Sequence, residues 1–463
     1  MSRAPATTTL AALAAALALA GCAGPEPRRP TAAEAAGAAL PAAAFPDAGG
    51  PGATEAAALP WAQAFQGARL QRLIPLALAN NRDLRVAAAN IESARATAAA
   101  RDADLWPTVN AGLSGSRMPN ASGGITSSYQ AGLQVTAYEL DLFGRLRHLG
   151  SAAAAQLLAA EANRQAVRNA LVAAVATAEV ALQADEALLR ITRDTLASRE
   201  QSLGLIRQRF EGGVASELDL RAGESALQAA RVALAQVQRQ RALDQNALVL
   251  LLGTAPPADL PAPTGLLADF EPLAELPAGL PAEVLARRPD IRQAEAQLAA
   301  ADANIGAARA AFFPRITLTG NYGTTSSQLD QLFKNSVWSF APSLIQPLFD
   351  AGRNRANLDA ARAQRDAATA QYERAIQSAF RDVADALAGR ATLAEQRSAQ
   401  AALVDAESRR LSLAQERYRA GIASSLDVLD AQRSLFTAQQ ALVQVQSLRA
   451  QNLVAVYRVL GGG

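Results

Sequence analysis

The stretch Arg209-Phe210-Glu211-Gly212-Gly213-Val214-Ala215-Ser216-Glu217-Leu218-Asp219 decides the reading of this chain, because it is written again as Arg417-Tyr418-Arg419-Ala420-Gly421-Ile422-Ala423-Ser424-Ser425-Leu426-Asp427, 208 positions later. Each copy closes one long helical run and opens another. Glycine suits the left-handed position just past a helix end, and the serine three residues on suits an N-cap. Ser216 with Asp219, and Ser424 with Asp427, have the S-x-x-D spacing in which side chains cover the free N–H groups of a first helical turn. Each stretch is therefore a tight helix-turn-helix tip. The register holds without a gap to Leu252-Gly253 and Leu460-Gly461, also 208 apart, so whole helices are duplicated.

Working outward, helical sequence from about Leu70 to Leu105 stops at Trp106-Pro107, and a matching block opening with Arg288-Pro289-Asp290-Ile291-Arg292 stops at Phe312-Phe313-Pro314. Proline forbids continuation at both places. Asp83 to Asp290 and Pro107 to Pro314 are each 207 apart, so the duplication includes these helices. Past each proline the hydrophobic period drops from a helical to a strand value. Val109, Ala111 and Leu113 alternate with polar or small residues; after a Gly/Ser/Asn-rich loop over 115–127, Tyr129, Ala131, Leu133, Val135 and Ala137 do the same. The second copy gives Ile316, Leu318, Gly320 and Tyr322, then Trp338, Phe340, Pro342 and Leu344.

Each copy thus predicts a β-hairpin with one apolar and one polar face, over 107–140 and 314–349. Four strands cannot close a barrel, yet two-faced strands of about ten residues fit a membrane wall around a wet lumen. Closure needs further copies, with 8, 12 or 16 strands for two, three or four chains. The competing reading is a soluble sandwich edge or a flap on a helical body.

Proline is absent from 120 to 255 and from 348 to 463. Long helices are expected over 145–210 and 353–418, each about 100 Å at 1.5 Å per residue, with shorter helices over 216–252 and 424–461. Helices of that length pack side by side as a coiled-coil-like layer. Leu220, Leu227 and Leu234, and their counterparts Val428, Leu435 and Leu442, fit a core seam. The domain plan is a first repeat over 61–252, a Pro-rich linker over 253–289 and a second repeat over 290–463.

The N-terminus adds an address. Residues 1–21 read as a signal peptide, with Arg3 before an apolar run from Leu10 to Ala20 that is too short to span a bilayer. Leu19-Ala20-Gly21-Cys22 resembles the bacterial lipobox, in which the cysteine is acylated and becomes the mature end. Residues 22–60, rich in Pro, Ala and Gly, read as a lipidated extended tether. Ala23 is not aspartate and so carries no inner-membrane retention signal of the lipoprotein pattern.

Composition removes other classes. The formal charge is +2, from 44 basic and 42 acidic residues, with no basic excess to hold a nucleic acid. One cysteine and one histidine exclude a multi-ligand Cys/His metal site and an internal disulfide. His148 lies at a polar helix start with no nucleophile elbow nearby. No catalytic residue, cofactor or metal is expected.

A lipidated, exported chain with duplicated helix, hairpin, long helix and short helix resembles the TolC-like outer membrane factors, specifically the lipoprotein (NodT-type) branch of multidrug efflux channels. The resemblance rests on Leu19 to Cys22, Arg288 to Arg292, Phe312-Phe313-Pro314, Gln346-Pro347-Leu348-Phe349-Asp350-Ala351-Gly352-Arg353, and Arg417 to Arg433. It covers essentially all of the chain from about residue 60 onward.

The resemblance implies a mainly α fold with a membrane β-barrel: a homotrimer with a twelve-stranded barrel in the outer membrane of a Gram-negative bacterium and a long periplasmic α-helical barrel. Cys22 is then lipidated at the inner leaflet, while a periplasmic adaptor and an inner-membrane pump of the resistance-nodulation-division (RND) type supply substrates and energy. Gly213, Val214, Ala215 and Ser216, with Gly421, Ile422, Ala423 and Ser424, are expected to meet the adaptor tip to tip, a purely structural turn being the alternative. Tyr418, Arg419, Leu426, Asp430 and Arg433 are expected to form the periplasmic gate, a solvated Asp430–Arg433 pair being the alternative. The first copy has Ala222 and Ser225 where the second has Asp430 and Arg433, an asymmetry that favours a specialised gate. Two other functions fit parts of the chain: a structural envelope lipoprotein, and the outer-membrane component of a type I protein secretion system.

Overall fold

The computed structural model describes residues 60–119, 121, 123–265 and 287–462. The leader, Cys22 and the tether to residue 59, with residues 266–286 of the linker over 253–289, lie outside the described residues. After a single turn at Trp61–Ala64 come α1 (Ala68–Asn80) and α2 (Arg82–Ala103), then β1 (Val109–Pro119), β2 (Ile125–Leu140), α3 (Arg145–Glu211) and α4 (Glu217–Leu252). The second repeat supplies α5 (Pro289–Ala310), β3 (Arg315–Ser326), β4 (Ser336–Ile345), α6 (Arg353–Arg419) and α7 (Ser425–Val459).

Local chemistry explains the boundaries. Asn81 separates α1 from α2 as an N-cap, accepting from the Leu84 N–H at 3.0 Å. Both long helices, 67 residues each, start behind a carboxylate: Asp141 accepts from the Leu146 and Arg147 N–H groups, and Asp350 from those of Gly352 and Asn354. These bonds satisfy first-turn donors that have no partner inside the helix.

α3 pairs with α4 and α6 with α7; α2 lies along α3, α5 lies against both α3 and α6, and α7 also leans on α3. The contacts of α5 and α7 with α3 weld the repeats into one body. The core sits at a waist where the short helices cross the long ones. One cluster gathers Phe65, Leu73, Ile74, Val172, Val175, Leu248, Leu252 and Val454, with Phe65 edge-on to Tyr457 at 4.9 Å. A second gathers Ile291, Leu298, Tyr372, Ile376, Val383 and Val456.

Two charged groups lock the waist. Arg69 reaches fully buried Glu179 through two hydrogen bonds of 2.6 and 2.9 Å. Arg288, buried at the start of the Arg-Pro-Asp motif, donates to the Val459 carbonyl at 3.2 Å and to Asp290 at 2.7 Å, tying α5 to the end of α7. His148 packs over Gly306, where a Cβ would come within 2.5 Å of its ring. Of the expected leucine seam, Leu227 and Val428 are buried while Leu220, Leu234, Leu435 and Leu442 are half-buried. Away from the waist each helix pair is a single layer with open faces.

The two hairpins join in one antiparallel sheet of four strands, ordered β1-β2-β3-β4. Directly opposed residues share a face, so the register defines two surfaces. One carries Val109, Leu113, Leu133, Val135, Tyr322, Trp338 and Phe340; the other carries rows such as Asn110, Gln134, Asn321 and Ser339. Val109, Leu113, Leu133, Tyr322, Trp338 and Phe340 are all more than half exposed, so none of the described residues covers the apolar side.

Two expectations need correction here. The loop expected over 115–127 is mostly strand: pairing runs unbroken from Val109↔Val135 to Pro119↔Ile125. Gly and Ser read as loop by composition, yet they serve in a strand whose polar face needs no bulk. The alternation expected to end on Ala137 breaks at a β-bulge between Val135 and Tyr138, with Ala137 at φ +53° and its N–H donating to Thr319 Oγ1. Tyr138 and Leu140 therefore take over the apolar face. At the join between repeats Gly132 faces Gly323 so closely that a Cβ on Gly132 would lie 2.5 Å from the Gly323 Cα.

Candidate functional site

The features that could act lie at the two ends of the molecule, since no group of three or more metal-ligating side chains converges among the described residues. At the helical end, the chain leaves α3 through Gly213 (φ +75°) and α6 through Gly421 (φ +72°). The N–H groups of Val214 and Ile422 each close back on the arginine carbonyl five residues earlier at 2.9 Å. Ser216 and Ser424 then complete reciprocal capping boxes with Asp219 and Asp427. Both tips end in exposed apolar side chains: Val214, Leu218, Ile422 and Leu426 are 65–79% exposed. Gly213, Ala215, Ser216, Gly421, Ala423 and Ser424 form the small-residue turns around them.

The second tip is seated on the first. Buried Gln432 of α7 donates to Ser198 and Ser202 of α3 at 2.9 Å each. The Arg209 guanidinium stands 4.8 Å from the centre of the Tyr418 ring, and the Ser425 hydroxyl donates to Asp219. Hydrogen bonds from Ser216 and Ser425 hold the Asp219 carboxyl below its ordinary pKa. A small cavity of about 100 Å³ remains between the tips, lined by Gln201, Ser202, Gln415, Arg419 and Leu429 among others.

Of the five residues expected at the gate, the structure brings Asp430 and Arg433 together as an ion pair one turn apart on α7. Arg410 of α6, which sequence reasoning did not single out, reaches across to the same carboxylate. The Arg410 guanidinium holds the Asp430 carboxyl below the usual carboxylate range. A signal was available, because Arg410 and Asp430 are each ten residues from Ala420 and so lie level in an antiparallel helix pair. Tyr418 is 8% exposed beneath Arg209, Arg419 borders the cavity, and Leu426 projects freely.

At the other end the sheet holds its polar face together with Asn321 donating to Ser339 at 2.8 Å, and its base with Glu139. That carboxylate bridges Arg145 of the first repeat at 2.8 Å and Arg315 of the second at 2.6 Å. Among the described residues β1 and β4 pair only inward, so each leaves one backbone edge without a described partner. They also run in opposite directions, which lets β4 of one sheet pair antiparallel with β1 of another.

Comparison with known proteins fits this anatomy. The profile of the family described as "Outer membrane efflux protein" matches twice, over residues 73–254 and 280–462, once per repeat. The chain is 48% identical over 417 residues to the probable efflux pump outer membrane protein TtgC of Pseudomonas putida, covering 88% of this chain and 86% of that one. It is 44% identical to the outer membrane protein OprJ of Pseudomonas aeruginosa, with the same coverages. Among solved structures, the open state of the Neisseria gonorrhoeae MtrE outer membrane channel superposes with a TM-score of 0.85 at 39% identity, covering 95% of this chain and 98% of that one. On its duplicated helices, its joined hairpins and this degree of likeness, the chain belongs to the outer membrane efflux protein family.

Proposed function

We propose that this protein is the exit duct of a tripartite efflux pump, in which three copies close their sheets into one twelve-stranded barrel across the outer membrane. The observation that carries the reading is the open sheet: one face apolar and uncovered, the other polar, with an unpaired edge on each side. Lipid offers no hydrogen bonds, so such edges are tolerated only when they pair with one another. Twelve strands spaced about 4.8 Å apart and tilted about 40° enclose a wall about 24 Å across, wide enough for a water-filled bore. The helices prolong that bore into the periplasm. Transport through it is passive, and the chain performs no chemistry.

Acylated Cys22 anchors each copy at the inner leaflet. The tips at Gly213 to Ser216 and Gly421 to Ser424 meet the hairpins of a periplasmic adaptor, with exposed Val214 and Ile422 as apolar contacts, and an RND-type inner-membrane pump delivers drugs or solvents to the tip end. There Leu426, Asp430, Arg433, Tyr418 and Arg419 make the constriction, with Arg410 fixing Asp430. The names of the relatives, which include antibiotic and toluene efflux pump proteins, support this cargo class.

Planar-bilayer recording on the purified, acylated protein tests the reading: stepwise conductance from a three-copy particle is the expected result. A lone copy without conductance would overturn it. Bulky substitution at Gly421 should impair drug export without loss of membrane insertion; normal export would remove the docking role.

A further inference from the structure

The duplication makes the chain its own comparison, and the two tips differ in how they are seated. Tyr418, Ser425, Val428 and Gln432 are buried because the second tip rests on α3. Their counterparts 208 residues earlier are Phe210, Glu217, Leu220 and Glu224, of which Phe210 and Glu217 are exposed and the other two half-buried. Among the described residues no repeat precedes them for them to rest on. Equally, the α3 positions that receive the second tip, Ser198, Gln201, Ser202 and Arg209, have counterparts on α6 at Ala406, Arg409, Arg410 and Arg417. Those α6 positions line an open groove of about 650 Å³, with Leu413 and Ile422 also on its walls. Among the described residues one seat is bare and one tip is unseated.

We infer that the α6 groove is the seat for the α4 tip of a second copy of this chain, and that this seam between copies is ionic where the seam within a chain is neutral. The reading rests on the ring of copies proposed above. Translating each contact by the repeat gives its partner. Gln432 on Ser202 becomes Glu224 on Arg410, Arg419 beside Gln201 becomes Glu211 beside Arg409, and the Arg209–Tyr418 ring contact becomes Arg417 against Phe210.

One translated pair is repulsive: Ser425 on Asp219 becomes Glu217 facing Asp427, with Arg417 close by. Asp405 also lines the groove, Arg410 already pairs with Glu407 at 3.2 Å, and Glu224 now leans on Arg207 at 3.9 Å and Arg221 at 3.0 Å. Those two arginines are more than half exposed, so their pairs exchange at little cost. In the ring, Arg410 holds Asp430 of its own chain and Glu224 of the next, so a neighbouring copy completes each constriction. The two seams then differ physically. Salt screens the seam between copies and leaves the neutral, covalently tethered seam in place, so the end opens between copies first.

Paired cysteines in the full chain test this, Cys22 being its only native cysteine. Glu224→Cys with Arg410→Cys should oxidise to covalent dimers and trimers on a non-reducing gel. Ser202→Cys with Gln432→Cys should crosslink within single chains, without gain in mass. Native mass measured on each variant before oxidation separates the claims. A three-copy particle whose Glu224/Arg410 pair yields only monomers would overturn the seam and leave the channel reading standing; a single-copy particle would overturn both. Arg410→Glu should lower the salt concentration at which the particle dissociates, and adding Glu224→Arg should restore it. Failure of that rescue in a folded particle also overturns the assignment.

Discussion

Replacing Asp185 by asparagine should stabilise the protein at pH 8 and change little at pH 5. Asp185 lies on α3, 5% exposed, sharing a hydrogen bond with Asp244 of α4, while its Oδ2 has no hydrogen-bond partner. Burial first, then the hydrogen bond and charge of Asp244, push its carboxyl up to about 7; Arg241 offsets part of this and Glu186 adds to it. The folded value stands above the ordinary 3.8, so between these limits the folded chain keeps a proton that the unfolded chain has released.

The stability tied to that proton is fully present below the lower value and is lost as pH rises through the upper one. Integrated from pH 5 to pH 8, the loss is on the order of 2 kcal/mol per chain. An asparagine mimics the protonated acid at both pH values and removes the loss. Denaturant unfolding followed by helical circular dichroism, at both pH values, reads the difference directly. Because the second repeat carries Leu393 and Asn452 at the matching places, the effect belongs to the first helix pair alone. Parallel pH profiles for the parent and Asp185→Asn, or a variant less stable at pH 8, would refute the reasoning.

Three further outcomes are expected. Asp430→Ala or Leu426→Ala should raise leak conductance while the particle stays folded; unchanged conductance in both would remove the gate assignment. Gly132→Val should abolish insertion into the outer membrane, because its side chain meets the Gly323 backbone where the two hairpins join; normal yield in outer-membrane fractions would contradict the register. Leu73→Ala, at a fully buried waist position, should cost about 2–5 kcal/mol of unfolding free energy, and a loss below about 1 kcal/mol would show that the waist repacks around the cavity.

What could be read from the residues alone was whatever local chemistry determines. The tips announced themselves because a left-handed glycine and an S-x-x-D box act within a few residues, and Ser216 and Ser424 cap as their spacing demands. The strands showed by period, but their ends did not: Gly115 and Ser116 look like loop until Tyr129 and Ser128 are found opposite them. The bulge at Ala137 was equally hidden, since an inserted residue shifts the faces without changing composition. Contacts between distant segments left no mark at all. Arg69 and Glu179 are 110 residues apart, and nothing local distinguishes that buried carboxylate from those on the surface.

Glu224 shows how a repeat recovers part of what one copy conceals. On its own it is a glutamate beside Arg221 on an open helix face, as bland a position as the chain contains. Its meaning comes from Gln432, which holds the same place in the second copy and is buried against two α3 serines. A sequence that changes only the charge at such a position, and changes Ser202 to Arg410 opposite it, has altered the character of a contact while keeping its geometry. Uncharged polar groups suit a seam that the chain itself holds shut; opposite charges suit one that separate molecules must find, close and release.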